Sequence, residues 1–108
     1  MNPRDCLGSF EQLVLYAILR LGSDAYGVPI HQEIQTCSGR QYSLGAVYTT
    51  LQRLEDKGYV SSWTGECTPQ RGGRAKKYFR VEAAGSAALR ASLGTCIRIG
   101  EAVFGGAS

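Results

Sequence analysis

The segment Ser43-Leu44-Gly45-Ala46-Val47-Tyr48-Thr49-Thr50-Leu51-Gln52-Arg53-Leu54-Glu55-Asp56-Lys57-Gly58 constrains the fold more than any other part of the chain. Ser43 is a strong helix N-cap, Gly58 suits the residue just past a helix end, and Lys57 complements the last turn. The spacing therefore predicts a helix from Leu44 to about Lys57. Leu44, Val47, Tyr48, Leu51 and Leu54 fall on one apolar stripe at about 100° per residue, which places most of the Tyr48 ring in the core. Gly45, Ala46, Thr49, Thr50 and Arg53 project from the opposite side. An ordinary solvent face would be rich in Glu and Lys. This one is small and hydroxylated with one cation, so it can approach another surface closely.

Two helices precede this one. Phe10, Leu13, Val14, Ala17, Ile18 and Leu21 recur at three- and four-residue steps behind a Ser9-Phe10-Glu11-Gln12 capping box, and Gly22 ends the run. A shorter helix begins near Tyr26 to Val28, carries Pro29 in its first turn, buries Ile30 and Ile34, and ends at Ser38-Gly39. After Gly58, Tyr59-Val60-Ser61-Ser62-Trp63-Thr64 and Lys77-Tyr78-Phe79-Arg80-Val81 are β-rich and flank a turn-dense Thr68-Pro69-Gln70-Arg71-Gly72-Gly73-Arg74. They predict a hairpin with a long tip, Trp63 serving to pack it. From Ala83 to about Phe104 the chain is alanine-rich and helical. Ala84, Ala88, Leu89, Leu93, Cys96, Ile97, Val103 and Phe104 form a weak apolar face broken by Gly94 and Gly100.

Charge is distributed unevenly. The chain of 108 residues carries a formal +3, yet Arg71, Arg74, Lys76, Lys77 and Arg80 lie together with no acid among them. The remaining seven bases and nine acids leave −2 elsewhere, so one ten-residue segment makes the protein basic. At 44 % apolar and 19 % charged residues the composition is that of one globular domain. The longest apolar run, Leu13 to Leu19, is seven residues, well short of the roughly 20 a membrane helix needs. Met1-Asn2-Pro3-Arg4-Asp5-Cys6 lacks the order of a secretory signal, which makes the cytoplasm the expected compartment.

Catalytic chemistry finds little support. Cys6, Cys37, Cys67 and Cys96 form no CxxC pair, and His31 is the single histidine, so no metal site is expected. Free thiols are the favoured reading, with a redox-sensing disulfide as the alternative. No phosphate loop of the GxxxxGK type exists, and His31, read as a helix-surface residue, has no nucleophile and acid beside it. No cofactor and no catalytic residue is expected.

Three helices, a hairpin and a further helix make a mainly α fold with a small β wing: a winged helix-turn-helix over residues 1–82, with residues 83–108 as a C-terminal dimerisation helix of the same compact unit. A major groove of double-stranded DNA accommodates one α-helix. Arg53 suits guanine or phosphate, Thr49 and Thr50 a base edge or phosphate, and Ala46 a thymine methyl. Arg71, Gly72, Gly73, Arg74, Lys76 and Lys77 would lie along the backbone or an adjacent minor groove. The same helix docking an acidic protein partner is the alternative, and an RNA role for the basic tip lacks an exposed aromatic platform.

Four stretches carry a family resemblance: Leu7-Gly8-Ser9-Phe10-Glu11-Gln12-Leu13-Val14-Leu15, Asp24-Ala25-Tyr26-Gly27, the Ser43 to Gly58 segment, and Arg71-Gly72-Gly73-Arg74-Ala75-Lys76-Lys77-Tyr78-Phe79-Arg80. In this order they resemble the PadR family of bacterial transcriptional regulators. The resemblance implies a homodimer held by the last helix with help from the first, and usually repression relieved by a signal. It also implies that Ser43, Tyr48 and Thr49 and the RGGR wing face the operator. Two departures stand out. Val81-Glu82-Ala83-Ala84-Gly85 lacks the threonine cap frequent at this junction, and only one helix fits after Gly85, as in the family's short subgroup.

The last helix is too weakly apolar to explain its length as monomer surface, whereas a dimer seam through Leu89, Leu93, Cys96, Ile97, Val103 and Phe104 would bury it. A two-fold dimer reads a roughly palindromic site. Ten wing cations on phosphates would set a log–log salt slope of about −9 as an upper bound. Any small-molecule effector, its identity open, would have to sit at that seam.

Overall fold

The computed structural model describes residues 7–65 and 76–105. In chain order these form α1 (Ser9–Leu21), a 3-10 turn (Gly22–Asp24), α2 (Gly27–Ser38), α3 (Leu44–Asp56), β1 (Val60–Thr64), β2 (Lys77–Val81) and α4 (Ala83–Phe104). It is the winged helix-turn-helix architecture with one helix appended.

The helix ends follow from local chemistry. Ser43 Oγ accepts from the Ala46 N–H at 3.0 Å and caps α3, while Gly58 takes φ 78° just beyond its end. Gly39 takes φ 69° and ends α2. The start of α1 differs from the expected capping box. Gly8, not Ser9, is the N-cap residue, and Glu11 Oε1 accepts from the Gly8 N–H at 2.9 Å. Because glycine has no side chain, only the returning half of the box forms.

The core is where the three stripes meet. Val14, Leu15 and Ile18 of α1, Ile30 and Ile34 of α2, and Val47, Leu51 and Leu54 of α3 are all at most 2 % exposed. Each such side chain stabilises the fold by about 1.5–3 kcal/mol relative to leaving it in water. The strands pair antiparallel with Val60 opposite Val81 and Trp63 opposite Tyr78. Val60 and Phe79 turn inward and are buried. Phe79 N–H also donates to the Ala25 carbonyl at 2.8 Å, and an isolated bridge joins Tyr26 to Tyr78, so the stretch before α2 adds to the wing's outer edge.

A close approach starts α4. Glu82 N–H donates to the Tyr59 carbonyl at 2.8 Å, and a Cβ on Gly85 would lie 2.3 Å from that same oxygen. Where a threonine cap is absent, Glu82 places its carboxylate on Ser61 Oγ at 2.6 Å and Arg80 Nε at 3.1 Å instead of capping the helix. Of the α4 residues only Gly85 and Leu89 are buried. The Tyr59 backbone cannot yield as a flexible side chain would. Gly85→Ala should therefore lower stability by about 1–3 kcal/mol in urea unfolding, whereas Gly100→Ala, with open space around it, should not.

Candidate nucleic-acid interface

Burial of Val47, Leu51 and Leu54 turns the opposite face of α3 outward. Gly45, Tyr48, Thr49, Gln52, Arg53 and Asp56 are exposed on it, and Ala46 is half-buried. Tyr48, Thr49, Gln52, Arg53 and Asp56 surround a shallow concavity of about 500 Å³. Two expectations from the helical wheel need correction. Thr50 is only 5 % exposed, because it lies three residues after Val47 and four before Leu54 and so borders the buried stripe instead of the outer face. Tyr48 is 46 % exposed and brings the hydroxyl end of its ring against the start of α2, where a Cβ on Gly27 would meet its hydroxyl. The ring rests on a bare glycine backbone instead of entering the core.

Gln52 was not singled out from the sequence, although its spacing of four from Tyr48 and three from Thr49 marks it for this face. Its Nε2 donates to Asp56 Oδ1 at 3.0 Å. The amide is thereby held, and among the described residues its oxygen has no hydrogen-bond donor.

α3 is anchored at its end by an ion pair of low exposure. Lys57 Nζ donates to Glu11 Oε2 at 2.9 Å, the two side chains being 30 % and 9 % exposed. Burial works against ionising Glu11, but hydrogen bonds from Lys57 and the Gly8 N–H, with the charges of Lys57 and Arg53, prevail and hold the carboxyl below the ordinary 4.5. The turn before α3 is tied as well. Gln35 Oε1 accepts from Tyr42 N–H at 3.2 Å, and the His31 ring engages the Tyr42 carbonyl, giving that helix-surface histidine a structural partner.

The exposed cations of the wing's stem have partners within the protein. Lys76 Nζ lies 4.4 Å from the Tyr26 ring centroid and donates to Tyr26 Oη at 3.3 Å. Lys77 Nζ is 3.6 Å from Glu55 Oε1, and Arg80 pairs with Glu82. The expectation that Lys76 and Lys77 are given over to DNA is thus qualified, since each has an intramolecular partner to surrender first. Arg71, Gly72, Gly73 and Arg74 lie outside the described residues.

A family model for the PadR-like transcriptional regulators matches residues 14–91. The chain belongs to that family. DNA-binding transcriptional regulation follows as its coarse role. Among solved structures, a PadR family transcription regulator from Clostridium difficile is similar at 23 % identity and TM-score 0.71, covering 92 % of this chain and 100 % of that one. A PadR-like transcription factor from Bacteroides fragilis matches at 22 % identity and TM-score 0.70, over 93 % and 89 % of the two chains. No curated protein matches the sequence.

In this PadR-like regulator α4 carries the remaining expected residues. Leu93, Cys96, Ile97, Val103 and Phe104 are exposed, Phe104 to 80 %. Leu89 is different: at 3 % exposure it is covered by its own subunit, and it is corrected from a seam residue to a core residue. Ile99, at 59 %, joins the exposed set, one turn from Cys96 and Val103. Of the four thiols, Cys37 and Cys96 are exposed and unpaired. The Cys37 thiol donates to Glu33 at 3.0 Å, and that carboxylate pushes its ionisation up, away from the reactive thiolate. Among the described residues no three His, Cys, Asp or Glu side chains group as metal ligands, and no helix is long and apolar enough to cross a membrane.

The Glu11 to Lys57 pair has a pH signature. A carboxyl held below its unfolded value contributes stability that is complete above 4.5 and is lost as pH falls through that value toward the folded one. Glu11→Gln should be less stable than the parent by about 1 kcal/mol at neutral pH, and the gap should narrow as pH falls below 4.5. Urea unfolding at the two pH values measures it.

Proposed function

We propose that the protein is a homodimeric repressor that reads a roughly palindromic operator with α3 and steadies itself on the backbone with the wing. The observation that carries this is the outer face of α3, where Gly45, Ala46 and Thr49 leave the helix almost bare between Tyr48 and Arg53. A major groove admits a helix whose side chains do not hold it away. Arg53 suits guanine or phosphate, Thr49 a base edge, and Ser43 and the Tyr48 hydroxyl a phosphate. Gln52, its Nε2 engaged by Asp56, adds an acceptor to the same face. The Arg71-Gly72-Gly73-Arg74 tip would follow the backbone or enter the adjacent minor groove.

A second copy is the proposed partner of α4. Its apolar stripe runs in one direction from Gly85 and Leu89 through Leu93, Cys96, Ile97, Val103 and Phe104, and the subunit's own body covers only the first two turns. Two copies joined there would present two copies of α3 related by a two-fold axis. With Lys76, Lys77 and Arg80 held by internal partners, the wings contribute Arg71 and Arg74 of each subunit. That lowers the wing's share of the log–log salt slope to about −4.

Gly45 separates this reading from protein docking. Nothing lies within 4 Å of a Cβ placed there, so Gly45→Ala should stabilise the free protein by about 0.5 kcal/mol through helix propensity. Against a duplex selected from random sequence it should nevertheless bind more weakly, and Arg53→Ala should lose about 1–3 kcal/mol with relaxed base preference. Anisotropy titration is the measurement. Binding that ignores sequence, or Gly45→Ala binding as the parent does, overturns the operator reading.

The seam is tested separately. The parent should sediment at twice the 11.7 kDa chain mass, and Ile97→Glu should sediment at the chain mass with its helix content kept.

A further inference from the structure

The wing is short for what it must carry. Its two strands have five residues each, and Arg71 and Arg74 fall between them in sequence. A two-stranded hairpin alone is marginal in water, so the direction of the tip depends on what braces the stem. Phe79 supplies one brace, from the core side. On the opposite face the stem carries a second one that the DNA-binding reading leaves unused.

That face is an aromatic stack closed by a cation. Tyr78 is its centre. Trp63, directly opposite in register, stacks on it at 5.7 Å with 18° between the planes, and Tyr26 meets it edge-on at 5.4 Å and 69°. Lys76 then covers the Tyr26 ring at 4.4 Å and bonds its hydroxyl. Gly65 makes room, since a Cβ there would sit 2.4 Å from the Tyr78 ring, and its N–H closes the stem on the Lys76 carbonyl at 2.8 Å. Tyr26 does not belong to the wing. It is the N-cap residue of α2, and its neighbour Gly27 is the seat of Tyr48 from α3. A continuous line of contact therefore runs from Trp63 on the wing, through Tyr78, Tyr26 and Gly27, to the exposed face of α3.

We propose that Tyr26, Tyr78, Trp63 and Lys76 form a clamp that sets the wing's angle to α3, with Lys76 a positioning residue instead of a phosphate contact. The inference rests on the DNA-binding reading and assigns residues within it. Edge-to-face and stacked rings and a cation over a ring each favour one geometry, which a general apolar patch does not. Losing the clamp leaves every wing cation in place but scatters it.

The salt dependence of binding distinguishes positioning from contact. Removing a phosphate-bound cation flattens the log–log slope by about 0.9, and removing an uncharged side chain flattens it only if other cations lose their phosphates. The experiment uses the full chain and the operator duplex obtained by selection. Tyr26→Leu should bind about tenfold more weakly and flatten the slope by about one unit or more, although no charge is lost. Tyr26→Phe, which keeps the ring, should retain the parent slope.

Trp63 is the single tryptophan, so its fluorescence anisotropy reports the stem without DNA. It should fall in Tyr26→Leu and in Lys76→Met, the second substitution being on an exposed side chain that folding does not require. If the parent binds with a steep slope while folded Tyr26→Leu keeps both affinity and slope, the clamp is overturned. Lys76→Met with unchanged anisotropy and a slope flatter by about 1.8, one lysine being lost from each subunit of the dimer, also overturns it and returns Lys76 to the phosphates. A parent that binds no duplex defeats the DNA-binding reading, and the anisotropy of the two variants then decides the clamp alone.

Discussion

Burial of one side of α3 is the constraint from which the rest follows. Val47, Leu51 and Leu54, joined by Thr50, fix the rotation of the helix about its own axis. A slip of one residue, about 100° on the wheel, would bury Arg53 and expose Leu51. The bare outer face is thus a consequence of the core. Glu11 and Lys57 act on the remaining freedom, because they pin the C-terminal end of α3 to the start of α1. Tyr42, held by Gln35 and by Phe10 at 4.6 Å between ring centroids, does the same at its beginning.

Much of this was legible in the residues, and the parts that were not share a cause. Ser43, Gly39, Gly58 and Gly22 mark helix ends because capping is local chemistry, and all four stand where that chemistry puts them. The hairpin and the length of α4 were equally local. Thr50, Leu89 and Tyr48 required knowledge of what lies across the interface between elements. Its polarity ranks Thr50 as outward, but α3 is embraced on more than its apolar stripe, and a threonine one turn from both Val47 and Leu54 is drawn in. Leu89 belongs to the α4 stripe by pattern and to the core by position. Gly27 explains Tyr48, and nothing within α3 points to a glycine twenty-one residues earlier.

Charge was the least transferable signal. Five cations in ten residues suggest one functional patch, yet Lys76, Lys77 and Arg80 divide among Tyr26, Glu55 and Glu82. The exposed pairs are screened by solvent, so they steer side chains more than they stabilise the fold. The stem's charges therefore go to partners within the protein, and in the proposed function the DNA backbone falls to the arginines between the strands.

α4 extends the same logic to assembly. Twenty-two residues of helix span about 33 Å, and the subunit's body covers only the stripe's beginning at Gly85 and Leu89. The continuation is wide, from Ile99 on one side to Ile97 on the other, and its residues are 46–65 % exposed before Phe104 at 80 %. Gly94 and Gly100 lower the intrinsic stability of this stretch, since each costs roughly 0.5–1 kcal/mol relative to alanine. A helix that is weak by propensity and apolar on one side gains most of its stability from whatever covers it. Under the proposed pairing, ordering of α4 and association of two subunits become one event, and the junction at Tyr59, Glu82 and Gly85 transmits it to the strands that carry the wing. The spacing between two α3 helices is then set by how α4 leaves that junction, which makes the close approach at Gly85 a determinant of operator geometry as well as of stability.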